Sequence, residues 1–135
     1  FGFGTDNNDE FLPHNWQRNF VSYTGTHDND TVRGWWLSAS EHERTHAASY
    51  LQADAANIHW AMIRACCDSV TNMAVFPLQD VLGLGGEHRM NVPGTIGPQN
   101  WGWRFAWPWI NAESTRTLAE ITAESGRVPL ASMHD

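Results

Sequence analysis

Four groups of residues have types and spacings that could do chemistry. His27-Asp28 lies in the polar run Thr26-His27-Asp28-Asn29-Asp30-Thr31. An imidazole beside a carboxylate can hydrogen-bond the vicinal hydroxyls of a sugar, and such bonds strengthen in an oxocarbenium-like transition state. Structural hydrogen bonding accounts for the same pair equally well. Arg89-Met90-Asn91-Val92-Pro93-Gly94-Thr95 is a second polar stretch. His42-Glu43-Arg44-Thr45-His46 matches H-E-x-x-H, which on a helix puts two zinc ligands on one face with Glu as base. Gly83-Leu84-Gly85-Gly86 starts like a dinucleotide fingerprint.

Context removes two of the four. Arg44 would set a cation beside the metal, and no Glu lies between Glu43 and Glu87 to act as third ligand. A solvated helix face explains the same residues. His88 stands where the third glycine of a dinucleotide loop belongs. Asp28-Asn29-Asp30 also begins like a calcium loop, but Arg33 takes the place of the obligatory turn glycine. As a metal site for a nucleotide sugar, the same Asp-x-Asp lacks a basic or Gly-rich phosphate cradle. Asn29-Asp30-Thr31 is formally a glycosylation sequon, relevant only to a secreted protein. No metal and no cofactor is expected.

The elements that must position these residues can be read from the same chain. Phe1 to Asn19 is rich in Gly, Asn, Asp and Pro and reads as loop. Phe20-Val21-Ser22-Tyr23-Thr24 predicts a short buried strand, followed at Asp30 or Thr31 by a helix cap. Glu41 to about Val70 is helical in composition, with a break near Asp54 to Asn57. Its second half carries a stripe of Ile58, Met62, Ala65, Cys66 and Ser69. Met73 to Leu78 predicts a second buried strand, with Pro77 ending its pairing. A long Gly- and Pro-rich loop follows, whose Met90, Trp101, Trp103 and Phe105 mark it as ordered and functional. Asn111 is expected to cap a last helix, Ala112 to Ser125, closed by Gly126.

Two strands separated by a long helical stretch call for a parallel βαβ crossover. Both polar clusters then fall beyond the C-terminal ends of strands, where α/β folds and (β/α)8 barrels place their chemistry. Two parallel strands cannot enclose a core, so the chain reads as an α/β piece of a larger domain.

Composition narrows the partners. The 135 residues suffice for one domain, and 41% hydrophobic with 17% charged residues suit a globular protein. Fifteen acidic against eight basic residues give a net charge of -7. Without a basic cluster, neither nucleic acid nor an anionic membrane is an expected partner. No apolar run approaches the roughly 20 residues of a membrane span. The start at Phe1-Gly2-Phe3-Gly4 has no initiator Met and no signal-peptide pattern, so the numbering is expected to begin inside a longer protein. Cys66 and Cys67 are adjacent, a poor geometry for a disulfide, which favours packing thiols in a reduced, cytoplasmic setting. Most of the eight Trp are expected to fill a core, although an indole face can also stack on the C–H face of a sugar.

Tyr23-Thr24-Gly25-Thr26-His27-Asp28-Asn29-Asp30-Thr31 resembles a signature of the 4-α-glucanotransferases, also called amylomaltases or disproportionating enzymes, of glycoside hydrolase family seventy-seven. Leu12-Pro13-His14-Asn15, Pro77 to Gly85, Arg89 to Thr95 and Asn100-Trp101-Gly102-Trp103-Arg104 agree in the same order. The resemblance runs from Phe1 to about Arg127. It implies the C-terminal part of a (β/α)8 TIM barrel, about the last two β/α units, with Phe20 to Thr24 as seventh and Met73 to Leu78 as eighth strand. On this resemblance residues 1–135 are one portion of a catalytic barrel that transfers α-1,4-glucan segments, with retention, to glucose or maltooligosaccharide acceptors. Asp28 is then the carboxylate that stabilises the transition state, His27 binds the same sugar, and Asn91 lies beside the bound glucan. The nucleophile and the acid/base belong to the fourth and fifth strands, upstream of Phe1, so the piece alone is expected to be inactive. Departures from the pattern are His88 at a usually small position, Gln99 at a usual Gly, and an altered loop from Thr5 to Glu10. A self-contained, Trp-rich carbohydrate-binding module is the rival expectation.

Overall fold

The computed structural model describes residues 1–4, 6 and 8–129; Thr5 and Asn7, two positions of the altered opening loop, lie outside them. Strands β1 (Val21–Tyr23) and β2 (Met73–Val75) pair in parallel, in the register Val21 with Met73, Ser22 with Ala74 and Tyr23 with Val75. Between them run helices α1 (Val32–Ser38), α2 (Glu41–Leu51) and α3 (Ile58–Asp68). Beyond β2 come the short α4 (Leu78–Val81), two 3-10 turns and α5 (Ala112–Glu124). The expected crossover, the interhelical break and the last helix are all present.

Both strands are shorter than the apolar runs that announce them, and neither is buried as expected. Ser22 is buried against α3, where its hydroxyl meets the Thr71 hydroxyl at 2.9 Å, while Val21, Tyr23, Met73 and Val75 are about half exposed. A sheet covered on one face shows alternating burial instead of the continuous burial of a barrel strand.

Local chemistry sets the helix ends. Thr31 caps α1 by accepting from the Gly34 amide at 3.1 Å, and Asp30 accepts from the Thr31 amide at 2.7 Å. Ser40 and Glu43 form a capping box at the start of α2, so the Glu of the H-E-x-x-H stretch is a cap. His46 Nδ1 pairs with the Phe3 carbonyl at 2.9 Å. Among the described residues no cluster of three His, Cys, Asp or Glu is arranged to hold a metal. Asn111 caps α5, accepting from the Ser114 amide at 2.8 Å. Arg127 then folds back onto the end of α3, donating to the Cys67, Ser69 and Thr71 carbonyls at 2.7, 3.1 and 2.9 Å. It thereby satisfies orphan carbonyls at that terminus.

Helix α3 is the spine. Its buried residues are Ile58, His59, Met62, Ile63, Cys66 and Cys67, a broader stripe than expected, with Ala65 and Ser69 only half buried. One side closes a core with Phe3, Leu12, Val32 and Ala47, and the other closes a second with Ile121, against which Phe76, Val81 and Leu118 pack. Most Trp residues do not fill these cores. Only Trp35, Trp36 and Trp60 pack on them, none fully buried, because 101–109 carries its four Trp in a surface segment. The cysteines are buried and unpaired, and burial pushes the Cys66 thiol up to about 12, which leaves it inert.

The long loop is closed by its own side chains. Asn100 accepts from the Val92 amide at 2.9 Å and donates to the Thr95 carbonyl and hydroxyl at 3.0 and 2.9 Å. The Trp101 amide donates to the Met90 carbonyl at 2.8 Å. Asn100→Ala strands these groups at a cost of roughly 1 kcal/mol. Amide exchange at Val92 is therefore expected to rise on the order of tenfold; unchanged protection would contradict Asn100 as the fastener.

His59 sits under Gly83, whose left-handed φ of +64° and missing Cβ leave room for the imidazole; a Cβ there would lie 2.9 Å from Nε2. The ring's Nδ1 is buried with no partner among the described residues. Burial, with a smaller push from Arg33, holds its pKa down at about 4 against an ordinary 6.5. Between those values the unfolded chain takes a proton that the folded one refuses. The resulting stability is present above pH 6.5 and is lost as pH falls through about 4. Urea unfolding at pH 7 and pH 5 is expected to show a clear loss in wild type and a smaller one in His59→Gln. Equal losses would refute this account.

Candidate functional site

The site begins with a carboxylate that does not face solvent. Asp80, on α4, is 2% exposed. Its Oδ2 accepts from the Thr24 hydroxyl at 2.6 Å and its Oδ1 from the Val32 amide at 2.8 Å. Thr24 follows β1 and Val32 opens α1, so one side chain grips both ends of segment 25–31. Burial raises the Asp80 pKa, the bonds from Thr24 and Val32 pull it back, and nearby Asp30 pushes it up again.

Within the gripped segment, Asn29 Oδ1 accepts from the Thr26 amide at 2.8 Å and the Thr26 hydroxyl at 3.0 Å. The Asp28 amide donates to Thr26 Oγ1 at 3.3 Å. These bonds engage the Asn29 side chain, shared by the apparent calcium loop and the sequon, in a turn, and they leave His27 and Asp28 projecting. Each side chain is 53% exposed, and His27 Nε2 lies 3.5 Å from Asp28 Oδ1.

The segment after β2 meets this turn. Asn91 Nδ2 donates to Asp28 Oδ1 at 2.8 Å, and Arg89 donates to the Asp28 backbone carbonyl at 3.0 Å. The same guanidinium bonds the Asn91 carbonyl at 3.2 Å and lies 3.9 Å from Asp30. The Trp101 ring rests 4.9 Å from that of His27. Among the described residues Asp28 Oδ2 has no hydrogen-bond partner. A carboxylate oriented through one oxygen and open at the other can accept from a ligand hydroxyl or face a developing positive charge. His88, the departure from the pattern, accepts from the Trp103 indole N–H at 3.1 Å and so has a local structural partner.

His27, Asp28 and Asn91, expected together, do lie together. Sequence reasoning gave no role to Asp80, Arg89 or Trp101. An acid inside the apolar stretch Leu78 to Leu82 was the available signal for a buried carboxylate. A large open hollow also runs along β1, lined by Phe20, Val21, Tyr23, Thr24, Val32 and Trp35 among others. His27, Asp28 and Asn91 do not line it, so its size is no guide to the chemistry.

The comparisons with known proteins follow the same residues. The profile of the family described as 4-alpha-glucanotransferase matches residues 1–111. A 4-alpha-glucanotransferase of Synechocystis sp. is 45% identical over 129 residues, covering 94% of this chain and 25% of that protein. The chloroplastic/amyloplastic 4-alpha-glucanotransferase of Arabidopsis thaliana is 47% identical over 130 residues, covering 95% and 21%. Among solved structures, an amylomaltase from Streptococcus agalactiae in complex with acarbose superposes with a TM-score of 0.85 at 29% identity, over 90% of this chain and 25% of that one. The chain thus spans about a quarter of the length of the relatives it matches. With signature turn, crossover and profile in agreement, the chain belongs to the 4-alpha-glucanotransferase family.

Proposed function

We propose that residues 1–135 are the C-terminal portion of the (β/α)8 catalytic barrel of a 4-α-glucanotransferase, with β1 and β2 as its seventh and eighth strands. The half-exposed apolar side chains of both strands support this, because they are the surfaces that neighbouring barrel strands would cover. The same bare strands weigh against a self-contained binding module.

In this reading the substrates are α-1,4-glucans and maltooligosaccharides, as the acarbose complex of the similar amylomaltase suggests. A carboxylate nucleophile upstream of Phe1 displaces the leaving sugar and forms a glucosyl-enzyme. A second carboxyl, also upstream, protonates the departing oxygen. It then takes the proton from an acceptor sugar hydroxyl that attacks the anomeric carbon, releases the nucleophile and leaves the configuration retained. Asp28 binds sugar hydroxyls through its open oxygen and faces the charge that builds at the anomeric carbon. His27 binds the same sugar, and Asn91 holds the carboxylate in place and borders the glucan. Neither metal nor cofactor takes part. A cytoplasmic, reducing location fits the two buried free thiols, and no helix among the described residues is long and apolar enough to cross a membrane.

The observation that carries this is the exposed, singly anchored Asp28 at the strand mouth. In the full-length enzyme, Asp28→Ala is expected to lower disproportionation of maltotriose on the order of a thousandfold, the equivalent of several kcal/mol at the transition state. Its melting temperature should stay within a few degrees of wild type, since the side chain is half exposed. Near-normal turnover in that variant would end the assignment.

A further inference from the structure

Trp101 has a φ of +61°, in the left-handed region that a bulky side chain enters only at a cost. Among the described residues only one other non-glycine, Gln52, does so, and it is the C-cap of α2, where that conformation is routine. Trp101 ends no helix. The loop imposes the conformation through the Asn100 bonds and the Trp101 amide bond to Met90. A glycine would adopt it freely, and Gly102 stands next door, where an added Cβ would lie 2.8 Å from the Pro98 carbonyl oxygen.

Among the described residues packing does not repay the strain. Trp101 belongs to neither core and is 63% exposed. Its ring meets that of His27, with centroids 4.9 Å apart and an interplanar angle of 42°. Trp103, by contrast, is committed through its N–H to His88 and its contacts with Phe105 and Trp109. Strain kept at a site without structural return points to a ligand.

We infer that Trp101 is an aromatic platform on which one glucosyl ring of the bound α-glucan lies, beside the sugar held by His27 and Asp28. The inference rests on the glucanotransferase reading. A neutral, flat indole suits an uncharged ligand whose ring presents C–H groups on one face. His27 fixes the platform beside the sugar-binding pair, and Asn91 and Trp101 flank the same loop closure, so ring and carboxylate are held by one set of hydrogen bonds.

The test uses maltotriose disproportionation by the full-length enzyme, with wild type, Trp101→Gly, Trp101→Phe, and both changes in a His27→Ala background. Trp101→Gly removes the ring and relieves the backbone. The expected result is a KM raised about tenfold, with a melting temperature equal to or above wild type. Trp101→Phe, with a smaller face at the same φ, should give an intermediate KM. Both effects should persist when His27 is already alanine. An unchanged KM in both single variants overturns the platform, as does a lowered melting temperature with unchanged KM, which means the rest of the enzyme packs on the ring. Loss of the effect in the His27→Ala background also overturns it, because Trp101 then acts only by holding that imidazole. Should Trp101→Gly fail to fold, the Phe variant alone decides between the same outcomes. A wild-type enzyme inert toward maltotriose would instead refute the underlying reading, and does so independently of any Trp101 variant.

Discussion

The two hydrogen bonds of Asp80 hold the candidate site together. Segment 25–31 is too short and too polar to pack a core of its own, and its ends belong to different elements, the exit of β1 and the first turn of α1. A carboxylate carried by α4, just beyond β2, fixes both ends. Burying that group is unfavourable, which is why its pKa is raised, and two good donors offset only part of the cost. The return is geometric. The turn that presents His27 and Asp28 has its position dictated by the neighbouring strand's exit, as are Arg89 and Asn91 farther along the same segment. Parallel pairing of β1 with β2 thus sets the register of the whole site, although each strand contributes only three residues to the ladder.

Much of this architecture could be read from the chain because it rests on local chemistry. A cap at Asp30 or Thr31, a break near Asp54 to Asn57, the Asn111 cap and the parallel crossover follow from residue type and spacing, and the structure has Thr31 as the cap and α2 ending at Leu51. The closeness of His27, Asp28 and Asn91 was legible through the motif strings around those residues. Strand burial was not. Val21 and Tyr23 read as core because β-branched and aromatic runs do not reveal which faces find a cover. The Trp residues misled for a related reason: an indole is equally at home in a core and on a ligand platform, and composition cannot separate the two. Asp80 and Arg89 act across 56 and 61 residues of sequence, respectively. Such pairings have no period to detect.

The charge arrangement around Asp28 bears on its proposed part in catalysis. Arg89 reaches the Asp28 backbone, but it spends its donors on the Asp28 and Asn91 carbonyls and lies 3.9 Å from Asp30. The contact that orients Asp28 comes instead from a neutral amide. A guanidinium on that carboxylate would have stabilised the resting state and blunted the attraction for positive charge appearing later. An amide fixes direction without cancelling charge. Interactions stronger in the transition state than before it are the ones that raise a rate, and in the proposed mechanism an oriented carboxylate facing the anomeric carbon would be of that kind. The placement of Arg89 on backbone rather than side chain is therefore what lets Asp28 be both held and available.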